Sequence, residues 1–578
     1  MVQLIFCLIA SLTSTLVAGG IGFFAFQIIG IPSSILLGIG IISATSAYIA
    51  LYSEGNSILT IFCLILYMAG FLSWLRHFHL TFNASERLQR KACFNLIFGF
   101  CLILLGVLPL IPLFDAVSTN LEASESISPD ALFQIAQHLY RDLPVDNIIP
   151  ASLANAALKD TYTSPLIGDW LGSDRPPLQS GLIIFSSIAT RGLGFDWNSS
   201  LFAASIVANS MWILGGLTFV STLQFKQNLI YASVLPAGLS GYIILNTTFT
   251  WPKALAAAFL LASISSICTN QNPSYLRIRS CLSGLLLGFA CLSHGSSFFA
   301  VPAVMIVGLL HNKRNVRQFS LQPLQTTLLL LLSFVSVQTP WIFWQKFIDP
   351  PGDRLLKWHL AGAINITPDS FMHVLLAQYR SLDFSSIVQN KISNFKLLFG
   401  NGDSLVSWKD IFAGQYQSAI DTEFFFQSVA ILTWILPTAL MALALLVIKK
   451  RMLVTTNLNS SALLISSLIF FATTIFWCLA MFGPSTTVNH QGTGLTIVMA
   501  LLMSGTIFAN INFLLFFAGC CIQAVAVFAL YTHEISIPAK LAFILCETLI
   551  LCGSILIKNI HPERLASKSS KRDFSQVL

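Results

Sequence analysis

The sequence predicts an all-α, polytopic membrane protein of about 15 transmembrane helices, with two large outer-face loops bearing juxtamembrane helices. Three observations lead there. Hydrophobic residues make up 55% of the chain and charged residues only 10%, a balance foreign to soluble globular domains. Apolar blocks near the roughly 20 residues that a spanning helix needs recur along almost the whole length. The remaining charges lie mostly between those blocks and are sorted by sign.

In chain order, the apolar blocks fall at roughly 4–28, 31–52, 57–76, 95–114, 199–222, 228–247, 253–270, 279–293, 297–311, 325–346, 426–448, 460–482, 491–510, 513–531 and 538–557. The first lacks the basic flank of a signal peptide and runs on too long for one, so it reads as a retained helix. The positive-inside rule sets the orientation. With Arg87, Arg90 and Lys91 on the cytoplasmic side, alternation brings Lys226, Arg277, Arg279, Lys313, Arg314, Arg317, Lys449, Lys450, Arg451 and the basic tail to that side. Only Glu86, Glu563 and Asp573 join them there. The N-terminus is then outside and the C-terminus inside.

Five regions follow. Residues 1–94 hold three helices and a basic cytoplasmic loop; 95–346 form a catalytic core that includes the first outer loop, 115–198. Residues 347–425 are a second outer loop, 426–557 the C-terminal helices, and 558–578 a basic cytoplasmic tail. Gly181–Leu193 is apolar but too short to span and contains Arg191, so it is expected as a juxtamembrane or re-entrant helix at the outer surface.

The 12 cysteines are scattered, mostly inside apolar blocks and without C-x-x-C pairs, as small buried hydrophobes would be. The net charge of +7 is spread over short loops and does not suggest nucleic acid. The informative stretch is Ser128–Ser180, where Asp130, Asp142, Asp146, Asp160, Asp169 and Asp174 gather beside the apolar core. Charge at a membrane surface is cheap, whereas the same charge at the bilayer centre costs several kcal/mol.

Ser128-Pro129-Asp130 reads as a helix start, with an N-cap serine, proline at the first position and a carboxylate in the first turn. A carboxylate is favourable there for that reason alone. Arg175 stands in S-D-R-P-P, with Asp174 or Asp169 as an expected ion-pair partner. Lys253, in T-F-T-W-P-K, opens a helix at its outer end, where an ammonium reaches headgroup depth or snorkels beside Trp251. His294, in C-L-S-H-G-S-S, falls at an outer turn, where it either lines a cavity or serves as a satisfied structural histidine. His490 is a weaker rim candidate, and Arg354, Lys357 and His359 belong to the second loop. Asp130, Asp174, His294 and His490 could together hold a divalent metal, but no ligand spacing supports such a site, so metal dependence stays open; no other cofactor is expected. Glu547 alone among the acids falls inside an apolar block, where a hydrogen bond to a neighbouring helix is the plainer account.

One layout feature adds to this reading. An in-to-out helix at 95–114 leads to an outer loop whose first helix carries Asp130; R-P-P-L follows at 175–178, and then many spans. Over about 95–345 this resembles the GT-C class of membrane glycosyltransferases, which includes bacterial aminoarabinose transferases and eukaryotic protein O-mannosyltransferases. The chain departs from that pattern in two places: Asp130-Ala131 stands where many relatives carry Asp-Glu, and three spans precede the helix that is usually first.

The resemblance implies a GT-C-like helix bundle that transfers a sugar, with inversion, from a polyprenyl-phosphate donor to a lipid, glycan or protein acceptor. Asp130 would be the general base; Arg175, Lys253, His294 and Asp174 would bind donor phosphate or substrate. The expected setting is a bacterial inner membrane with the active site outward. The alternative is a transporter or flippase of a lipid-linked glycan, disfavoured here because the charges sit at the rim. A lipid-linked oligosaccharide polymerase would carry more arginines than the Arg354 and Arg380 of the second loop, and a noncatalytic scaffold stays open.

Overall fold

The computed structural model describes residues 2–53, 56–82, 145–195, 197–224, 229–268, 275–315, 322–398, 412–415, 458–483, 490–531 and 537–560. The predicted spans 95–114 and 426–448, and Asp130, lie outside the described residues. Every regular element described is helical. Among the described residues, seven helices are long and apolar enough to cross a membrane: Leu4–Ala25, Ile31–Tyr52, Ser57–Arg76, Trp197–Leu223, Leu276–Ser293, Gln322–Phe347 and Ser460–Ala480. Shorter apolar helices cover Lys253–Cys268, Gly295–Leu310, Thr496–Ile511, Phe513–Ala529 and Phe543–Gly553. The chain is therefore a helical protein with the composition of an integral membrane protein.

The degree of burial separates central helices from peripheral ones. Trp197–Leu223 is 89% buried, whereas Ser57–Arg76 is only 17% buried. The latter presents Ile61, Leu64, Ile65, Met68 and Leu72 outward, an apolar face suited to hydrocarbon and not to water. Ser460–Ala480 does the same with Leu464, Leu468, Phe471, Ile475 and Leu479. Inside the bundle, small and polar residues join helices, as expected where apolar contact with lipid competes with apolar contact between helices. Ser263 and Ser283 share a hydrogen bond with 2.9 Å between hydroxyl oxygens, and Gln338 Nε2 donates to the Gly288 carbonyl at 2.7 Å.

Residues 181–192 form the short helix expected there, as part of Leu178–Gly192 with Leu193 at its C-cap; it is buried from Leu178 to Ser187 and packs against Ile31–Tyr52. A Cβ at Gly181 would overlap the Ser43 carbonyl oxygen, so glycine is what permits that approach. Arg191 lies at the far end, exposed, with its guanidinium 4.8 Å from the Trp197 ring centroid. Arg191 is thus kept out of the buried stretch.

The predicted span 228–247 is not one straight helix. It is divided into Ile230–Gly238 and Gly241–Thr248, with Pro236 inside the first piece. Proline lacks the N–H that would bond the preceding turn. Gln523 Nε2 donates to the Pro236 carbonyl at 3.1 Å, and the Ser240 hydroxyl bridges the break to Ala237 O and Ile243 N.

Candidate functional site

The described parts of residues 115–198 and 347–425 converge at one end of the bundle. Arg175 precedes Pro176 and Pro177, after which the Leu178–Gly192 helix begins. Its guanidinium forms an ion pair with Asp146, which lies in the short 3-10 turn Val145–Ile148. The other Asp146 oxygen accepts a hydrogen bond from Trp251 Nε1 at 2.8 Å. Asp146 and Trp251 are both buried. Lys253, also buried, places its ammonium 3.6 Å from the centre of the Trp251 ring. A cation over an indole face is stabilised by the ring quadrupole, more so when desolvated.

A second ion-pair group lies beside the first. Arg354, from the second loop, is paired with Asp169 and lies 3.4 Å from Asp174 Oδ2. Both guanidiniums lie near the Trp170 ring, Arg175 at 5.5 Å and Arg354 at 5.0 Å from its centroid. Asp349 accepts from the Ser164 hydroxyl at 2.7 Å and the Ser173 N–H at 2.8 Å, while Gln345 Nε2 donates to Ser173 O at 2.9 Å. Thus 345–354 is bonded to 164–174 at several points. Tyr162 and Trp344 meet edge to face beside this contact; a cavity of about 150 Å³ opens behind them, with Leu51, Ser53, Leu59 and Asp160 also in its wall.

Burial sets the electrostatics. It pushes the Asp174 carboxyl up to about 6, against the opposing pull of the Leu171 N–H and Arg354. Burial also draws Arg175 down to about 10, still charged at neutral pH. His294 is held well below its ordinary value by burial first, then by the positive charges of Lys253, Arg175 and His359. Its Nδ1 accepts from the Ser296 N–H at 3.2 Å, which assigns the ring proton to Nε2. The imidazole Nε2–H and Lys253 thus neighbour the Arg175–Asp146 ion pair. Such a group offers N–H donors to a ligand that accepts several hydrogen bonds, phosphate among them.

The expected residues fare unequally. Arg175, Lys253 and His294 are brought together, with Asp174 in the adjoining group. The ion-pair partner expected for Arg175 was Asp174 or Asp169; it is Asp146, because Arg354 occupies the other two. Lys253 does not snorkel to an exposed position but is enclosed over Trp251. Lys357 pairs with Asp353 at 2.8 Å and donates to Thr367 O at 2.9 Å. His490 opens the helix His490–Ile511. Glu547 is buried in the helix Ile537–Ile560. Among the described residues, no three His, Cys, Asp or Glu side chains converge as a metal site would require. Asp146 and Trp170 went unrecognised: Asp146 bonds to Arg175 and Trp251 across long stretches of chain, which no local spacing announces.

No protein-family model, curated protein or solved structure matches this chain.

Proposed function

We propose that this chain is an integral membrane glycosyltransferase of GT-C type with about 15 spanning helices, acting at the outer face of a bacterial inner membrane. It would transfer a sugar from a polyprenyl-phosphate donor to a lipid, glycan or protein acceptor. The observation that carries the reading is that Arg175, Lys253 and His294 neighbour one another at one end of the bundle. Lys253–Cys268 has 16 residues, about 24 Å of helix at 1.5 Å per residue, against a hydrocarbon core of about 30 Å. The Ser263–Ser283 bond aligns the far end of this helix with the basic Arg277 and Arg279. With the basic end at one headgroup boundary, Lys253 would fall near the opposite one, the depth of a lipid-linked phosphate.

The chemistry then follows from the groups assembled. A carboxylate, Asp130 by the resemblance, takes the proton of the acceptor hydroxyl or amine. The acceptor atom attacks the anomeric carbon from the face opposite the phosphate, and the carbon–oxygen bond to phosphate breaks. Polyprenyl phosphate departs with that electron pair, and Arg175, Lys253 and the His294 Nε2–H offset the developing charge. Neither metal nor cofactor is needed to balance this step.

One observation favours the second reading, a flippase or transporter. The broken helix pair Ile230–Gly238 and Gly241–Thr248, with Gln523 on Pro236, is a feature that transporters use at substrate sites. Reconstitution separates the two. Vesicles given a labelled polyprenyl-phosphate sugar and candidate acceptors yield labelled product if the enzyme reading holds. Leaflet exchange of the lipid-linked sugar without product would replace it with the transporter reading.

A further inference from the structure

The segment Phe249–Lys253 turns sharply at Thr250, whose φ is +61°. That left-handed conformation is costly for any non-glycine residue and most of all for a β-branched one. Such strain persists only where the surroundings over-determine it. Here two carboxamides do so. Asn147 Nδ2 donates to the Phe249 carbonyl at 3.0 Å, and Gln179 Nε2 donates to the Thr250 carbonyl at 2.9 Å. Both side chains are buried, and Asn209 Nδ2 approaches Gln179 Oε1 at 3.5 Å.

The placement of these amides is informative. Asn147 follows Asp146, and Gln179 lies four residues after Arg175, so the segments that supply the ion pair also hold the turn. Immediately beyond the turn come Trp251, bonded to Asp146, and Lys253, stacked on Trp251. Satisfying buried carbonyls is a general need of any fold, but these bonds hold a conformation that the backbone itself resists.

We propose that Asn147 and Gln179 are positioning residues that hold the strained Phe249–Thr250 turn, so that Lys253 is presented beside Arg175 and His294 to a lipid-linked phosphate. The identity of the anion rests on the glycosyltransferase reading; the clamp itself does not.

The test uses the full-length protein in nanodiscs and labelled undecaprenyl phosphate as the probe. Gln179→Ala weakens binding about tenfold, the order expected when a left-handed residue loses its restraint. Glycine adopts positive φ without steric cost, so in a Thr250→Gly background the same Gln179→Ala change costs no more than about twofold. A loss of equal size in both backgrounds, or no loss in either, overturns the clamp.

A second readout is independent of the phosphate. In a Lys253→Cys variant, alkylation at position 253, followed by mass spectrometry, speeds up on adding Gln179→Ala and slows again on adding Thr250→Gly. If the wild type fails to bind undecaprenyl phosphate while this labelling pattern appears, the clamp stands and the lipid-phosphate reading fails. Unchanged labelling overturns the clamp.

Discussion

Replacing Asp146 with asparagine is the most direct test of the buried ion pair. The substitution keeps the size of the side chain and an oxygen for Trp251 Nε1, but removes the charge that faces Arg175. Removing one partner of a buried pair costs about 3–5 kcal/mol, because the remaining charge stays buried and uncompensated. Two features favour the lower end of that range. The Arg175 side chain is 15% exposed, and its guanidinium keeps the Trp170 ring. The expected loss is therefore about 3 kcal/mol, read as a lowered thermal midpoint in detergent at one fixed scan rate. Arg175→Gln strands Asp146 and costs a similar amount. The double variant removes both charges and costs less than the two losses combined, by a coupling of about 2 kcal/mol. Strictly additive losses, or an Asp146→Asn variant within about 0.5 kcal/mol of the wild type, would refute the argument.

Three further outcomes follow from the same geometry. Burial raises the Asp174 carboxyl to about 6, so the folded state favours its neutral form; its contribution to stability is fullest below the unfolded value of about 4 and is lost as pH rises through about 6. The difference in thermal midpoint between wild type and Asp174→Asn should therefore change across pH 4 to 6 in that direction, and a difference independent of pH would contradict it. Gly181→Ala forces a Cβ into the Ser43 carbonyl oxygen and should cost about 1–3 kcal/mol. Gly192→Ala, with open space around the new methyl group, should be neutral; equal thermal midpoints for the two would disprove the close packing. Arg354→Ala removes the guanidinium shared by Asp169 and Asp174 and should speed proteolytic cleavage in 345–380 several-fold, whereas an unchanged cleavage rate would show that this ion pair does not hold the loops together.

The helices were readable because a spanning segment declares itself through length and unbroken apolarity, as at 31–52 and 460–482. The break at 239–240 was less readable: Pro236 signals an irregular helix, but Gln523, which donates to the Pro236 carbonyl beside the break, is distant in sequence. Residues 181–193 read as a short helix because of their length and Arg191; what the sequence did not show is that the helix buries its first ten residues and leaves the arginine at the exposed end. At the site, Arg175, Lys253 and His294 could be chosen one by one from their positions beside prolines and at helix ends. Their assembly could not be read in advance. It depends on Asp146 and Trp170, whose partners come from segments far apart in the chain, and on a left-handed Thr250 that no propensity would favour.

Transfer of labelled sugar from polyprenyl-phosphate donors in membranes, with wild type compared with Asp130→Asn and Lys253→Ala at equal expression, tests the central claim most directly. The glycosyltransferase account predicts product from the wild type, at least a hundredfold less with Asp130→Asn, and a reduced rate with Lys253→Ala. Undiminished transfer by both variants would contradict the assignment of the site, and no transfer by the wild type across donors and acceptors would contradict the function.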